Sequence, residues 1–149
     1  MARDPNNIAI GDVLAETESA REGHEVRSLL MAALRYETGE ALAYFPMPIA
    51  GRLAKGRVST GSIYALDPFD NHSIVVEIDT ATLSAKLQQS LALQGASIGG
   101  AKRLRLAAPS YVLENPQGFA KIDNVVSVGK SIRESLVELI RRDQGVLGV

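Results

Sequence analysis

The chain has no cysteine and no tryptophan, only two histidines, and seven aromatic residues (four Tyr, three Phe) in 149 positions. Without thiols there is no disulfide, no thiolate zinc site and no cysteine nucleophile. With two imidazoles the usual nucleophile–base pairs are scarce, and no G-x-S-x-G elbow accompanies the many serines. So few aromatics leave little on which nucleic-acid bases could stack. An excess of one charge is also lacking: 16 basic against 17 acidic side chains give a net charge of −1. Nothing global therefore marks a nucleic-acid or membrane protein. The longest uncharged run, 87–101, is broken by Gln, Ser and Gly, short of the roughly 18 apolar residues of a membrane span. The opening MARDPNNIAIG has no apolar stretch of a secretory signal. A soluble, cytoplasmic protein is expected.

What is present suits a globular domain. Apolar residues make up 46% and charged residues 22%, and a chain of this length buries about 70% of its unfolded surface. One domain over 1–149 is expected. The charges are unevenly placed. Residues 1–50 carry four basic and eight acidic side chains, whereas residues 51–110 carry seven basic and four acidic. Complementary faces of this kind suit self-association.

Residues 1–45 read as a helical N-terminal arm, with the helix itself over 12–45. Asp12 is placed to cap it and Gly23 to end or bend its first piece, and Val26, Leu29, Leu30, Ala33 and Leu34 recur at helical spacing. The prolines of PMP, at 46 and 48, stop it. An α+β core over 57–149 follows. Ser62–Leu66 reads as a strand leading into the loop DPFDN, and 73–79 as its half-buried partner, with Ile74, Val76 and Ile78 on one face. Asp79 or Thr80 can cap a helix over 81–94, with Leu83, Leu87 and Leu91 inward and Gly95 closing it. Short strands are expected at 102–107, 110–114 and 119–128. A last helix, 131–143, opens on the capping-box spacing of Ser131 and Glu134. The expected order is α-ββ-α-βββ-α, an α+β fold with an antiparallel sheet of about five strands. In element order alone it resembles roadblock-type domains, which implies a dimerising scaffold, and no sequence motif accompanies that resemblance.

Five stretches bear on function. In the loop, Asp67, Asp70 and His72 are the residues that could hold a divalent cation. Asp67-Pro68 also suits a type I turn, and Asp70 and Asn71 tolerate unusual backbone angles, so a turn is the expectation and no metal or cofactor is predicted. NVVSVGKSIRESL, 124–136, has the strand–GKS–helix order of a phosphate-binding loop, but Asn124 stands where its first glycine belongs. Lys130 and Ser131 are expected to begin and cap the last helix instead. Two glycine-rich basic segments, 51–62 and 95–106, carry Arg52, Lys55, Arg57, Lys102, Arg103 and Arg105. Converging, they would grip phosphates; on strand edges, they would discourage aggregation. His24 reads as a helix-surface residue. ALAYFPMPIAG, 41–51, supplies Tyr44, Phe45, Met47 and Ile49, which with Val26 and Leu30 form a candidate contact patch for a second subunit or another protein.

A non-enzymatic oligomeric or assembly protein is the function expected, its partner itself or another protein. The alternatives are a nucleic-acid or phosphate-binding module on the basic segments and a small metal-assisted enzyme at Asp67, Asp70 and His72.

Overall fold

A computed structural model describes residues 13–46, 48–49, 51–145 and 147. The expected cap at Asp12, the first part of the helical arm and the contact residue Met47 lie outside the described residues. The fold is α+β, as the sequence predicts, but its order is different. It starts with a strand, β1 (Val13–Thr17), which pairs antiparallel with β2 (Gly56–Ser59). The predicted arm is therefore a strand followed by one helix, α1 (His24–Thr38). No apolar period runs through 13–17, and β1 is fixed by a partner some forty residues away.

After β2 comes a short helix, α2 (Thr60–Tyr64), where a strand was expected over Ser62–Leu66. A capping box decides this. The Ser59 hydroxyl accepts the Ser62 N–H at 3.2 Å, and the Ser62 hydroxyl accepts the Ser59 N–H at 3.2 Å. Two orphan donors of the first turn are thereby satisfied. The strand β3 (His72–Asp79) thus has no hairpin partner before it; it lies between β4 (Arg103–Pro109) and β5 (Ile122–Ser131), antiparallel to both. Among the described residues five strands form two sheets, of two and three strands, instead of one. Among the described residues the element order differs from the roadblock-like one.

Over Ser73–Val76 β3 is buried on both faces, because layers pack on both sides of it, while Glu77 and Asp79 stay half-buried on the face that the alternation leaves polar. Ile74, Val76 and Ile78 pack with Leu87 and Leu91 of α3 (Ala85–Leu93) and with Leu106, Ala108 and Phe119. On the other side lie α1 and α5 (Ile132–Arg142), whose Val26, Leu30, Leu34, Leu136 and Ile140 share a second core with Phe45, Val58 and Ile63. A one-turn 3-10 helix, Thr80–Thr82, capped by Asp79, precedes α3, and Ser84 caps α3 itself. SYVLE is helical, as α4 (Tyr111–Glu114), despite its β-rich composition. Ser131 caps α5 through the Glu134 N–H, as the spacing predicts.

Residues 42–44 run beside β4. The Tyr44 N–H donates to the Ala107 carbonyl at 2.9 Å, and the Ala107 N–H donates to the Leu42 carbonyl at 3.0 Å. Among the described residues no helix is long and apolar enough to cross a membrane.

Candidate functional site

The loop between α2 and β3 is built around two buried polar side chains. Asp67 is 1% exposed. One of its carboxylate oxygens accepts the Asn71 N–H at 2.9 Å and the other accepts the Asn71 side-chain amide at 3.0 Å. The Asp70 N–H returns to the Asp67 carbonyl at 3.2 Å, and Asp70 sits at φ +53°. The turn that Asp-Pro predicts is present, with Asp70 in the left-handed region that Asp tolerates.

Asn71 ties this loop to its neighbours. Its side-chain oxygen accepts the Tyr111 N–H at 2.9 Å, and its carbonyl accepts the Ile132 N–H at 2.9 Å. One asparagine thus holds together the loop, the start of α4 and the start of α5. Ser110 adds to this, accepting the His72 N–H with its hydroxyl at 3.0 Å and donating its own N–H to the His72 carbonyl at 2.9 Å. On this scaffold stand two outward aromatic rings, Phe69 at 70% and Tyr111 at 38% exposure. Arg133 of α5 borders the same surface: its guanidinium pairs with Asp70 at 3.1 Å and lies 4.6 Å over the Tyr64 ring. Gly51 lies so close to Ala65 and Leu66 that a Cβ would stand 2.6 Å from the Ala65 oxygen. The next residue, Arg52, faces Glu22 at 4.0 Å.

Fixed aromatic faces with arginines nearby can stack on a planar ring and attract an attached anion. Metal chemistry is poorly supplied. Asp67 is engaged by Asn71, Asp70 by Arg133, and the His72 ring by the Gly129 carbonyl at 3.1 Å. No three acidic or histidine side chains gather among the described residues in a way that could hold an ion.

The other predicted residues are placed as follows. Val26, Leu30 and Phe45 lie inside the core and Ile49 packs against it, so they face inward; Tyr44 is buried too, leaning on Phe119. Lys130 pairs with Glu138 at 2.6 Å and Glu37 at 3.8 Å. The two basic segments lie in different sheets. Arg57 belongs to β2, while Arg103 and Arg105 belong to β4, opposite Asp79 and Glu77 in the ladder. Arg103 also meets Asp123 at 3.4 Å and Arg105 meets Glu40 at 3.8 Å. Lys55 and Lys102 are exposed. Phe69, Tyr111 and Arg133 were not singled out by the sequence. The available signal was a phenylalanine inside an otherwise polar turn.

No protein family matches the sequence, and no curated protein matches it. Among solved structures the chain is similar to a 5'-nucleotidase precursor from Thermus thermophilus, with a TM-score of 0.60 at 16% sequence identity. The likeness covers 90% of this chain and 37% of that one, so the chain spans little more than a third of that protein's length, and what they share is a fold.

Proposed function

We propose that this chain is a non-catalytic recognition domain whose loop face binds a planar, anionic small molecule, with a nucleotide as the fitting class. The observation that carries the reading is the pair of exposed rings, Phe69 and Tyr111, on loops anchored by Asn71. Arg133, paired with Asp70 of the same loop, is the cation that borders this surface. The similarity to a protein named as a 5'-nucleotidase precursor makes a nucleoside 5'-monophosphate the first ligand to try. Recognition is favoured over catalysis because the acid–base groups of the loop are already held in structural bonds.

Calorimetric titration with adenosine 5'-monophosphate tests this. Stacking of one base is worth about 1–3 kcal/mol, so Phe69→Ala should weaken binding roughly 5- to 150-fold. No measurable binding, or equal binding by wild type, Phe69→Ala and Tyr111→Ala, would overturn the reading.

Assembly with a second copy or another protein is a second reading, favoured by the outer strand β5. Val125, Val126 and Val128 are exposed there, at 66% for Val128, and among the described residues β5 is laddered to β3 alone. Exposed apolar strips on outer strands mark contact surfaces. Light scattering at low and high salt should find a discrete oligomer that Val128→Lys dissociates; a monomer throughout would dismiss self-association.

A further inference from the structure

A second concave surface lies between α1 and α3, with Tyr44, Pro46 and Pro48 along it, and holds about 640 Å³. Small-molecule sites run from about 300 to 1,000 Å³. Its charged lining is basic throughout: Arg27 and Arg35 from α1 and Lys86 from α3, joined by the imidazole of His24, with no carboxylate among the described lining residues. This concentration stands out in a chain whose net charge is −1.

The helical period explains the arrangement. Arg27, Met31 and Arg35 fall at i, i+4 and i+8, one stripe of α1. Met31 and Tyr44 are buried beneath the cleft, while Leu93 stands at its edge, 90% exposed although Leu87 and Leu91 of the same helix are buried. At one end Gln94 clasps both sides. Its side-chain oxygen accepts the Arg35 guanidinium at 2.9 Å and the Ala43 N–H at 3.1 Å, and its amide donates to the Ala43 carbonyl at 2.8 Å.

Arg35 is the telling residue. Its hydrogen bonds go to the neutral acceptors Ala41 O, at 3.3 Å, and Gln94 Oε1. Burial lowers its pKa below the ordinary arginine value. Arg52, Arg103, Arg105 and Arg133 each stand within 4.0 Å of a carboxylate. A guanidinium partly removed from water and held by neutral groups gains from an anion brought to it.

We propose that this cleft binds a small amphipathic anion, with a carboxylate or phosphate head against Arg35 and Arg27 and an apolar body along Met31, Tyr44 and Leu93. It is independent of the loop-face reading. The anionic dye 8-anilinonaphthalene-1-sulfonate tests it on the full chain. The dye should bind saturably at the cleft, and that portion should be displaced by decanoate, by decyl phosphate or by both; the competitor that succeeds assigns the head group. Lys86→Glu and Leu93→Glu alter exposed side chains, so the fold is kept; each sets a carboxylate against the anion and should weaken dye binding by about tenfold. Phe69→Ala should leave the portion displaced by these competitors unchanged. Dye binding that neither competitor displaces, or that both variants leave intact, would overturn the proposal.

Discussion

Asn71→Ala is the most informative single change to the loop scaffold. It removes the amide that donates to Asp67 at 3.0 Å and the oxygen that accepts the Tyr111 N–H at 2.9 Å, in a side chain 4% exposed. A hydrogen bond to a carboxylate contributes about 1.5–3 kcal/mol, and one between neutral groups about 0.5–1.5. Asp67 keeps the Asn71 backbone N–H, so it is not stripped of donors. The expected loss is roughly 2–4.5 kcal/mol, a large share of the 5–15 typical of a domain. Urea unfolding followed by circular dichroism at neutral pH measures it, with an unchanged m-value showing that the unfolded state is not altered. Nucleotide binding should fall as well, because Tyr111 loses its anchor. A loss under about 1 kcal/mol would refute the reasoning, since a buried donor and a buried carboxylate would then have found substitutes at little cost.

Other substitutions probe other parts of the same account. Phe119→Ala empties a core position stacked on Tyr44 and should cost about 3–5 kcal/mol in the same unfolding measurement. Gly51→Ala would set a methyl group 2.6 Å from the Ala65 oxygen and 2.8 Å from the Leu66 Cα; a loss of about 1–3 kcal/mol is expected, and an unchanged midpoint would show that the loop can retreat. Lys130 has its pKa raised, first by the hydrogen bond to Glu138. Its charged form therefore contributes stability that is complete below the unfolded value near 10.4 and lost as pH rises through the higher folded value. Lys130→Met should be less stable than wild type at pH 8, with the difference closing in strongly alkaline solution; a constant difference would argue against the ion pair.

Much of the core was legible because its cues are local. Leu87 and Leu91, and the apolar stripe from Val26 to Leu34, follow helical spacing and are buried as that spacing requires; Leu83 is buried too, but in extended backbone ahead of α3 and not in the helix expected from 81. The glycine after α3 and the serine before α5 stop and start their helices where expected. One failure is local, the Ser59–Ser62 capping box that makes 60–64 a helix; the others lie where a distant partner decides. VLAET has no strong period of its own and becomes a strand by pairing with β2. Alternation in 73–79 suggested one wet face, but an odd position, Val75, is buried too because helical layers cover both sides of the sheet. SYVLE suits a strand by composition, yet its first turn is anchored to Asn71, forty residues earlier in the chain. The candidate site was half visible. The turn at Asp67 could be read from Asp-Pro, whereas the placing of Tyr111 against the loop that carries Phe69 follows only from how three separate segments meet at Asn71.

The strip beside β4 links the two halves of the interior through adjacent residues. Tyr44 belongs to the core under α3 and Phe45 to the core under α1 and α5, while Ala43 and Ala107 join the backbone between them. Neither core can loosen without pulling on a residue buried in the other. The domain should therefore melt in one concerted transition, with tyrosine environment and helix content lost at the same temperature. The short segment at 43–45 then acts as a rivet, making two small interiors behave as one thermodynamic unit.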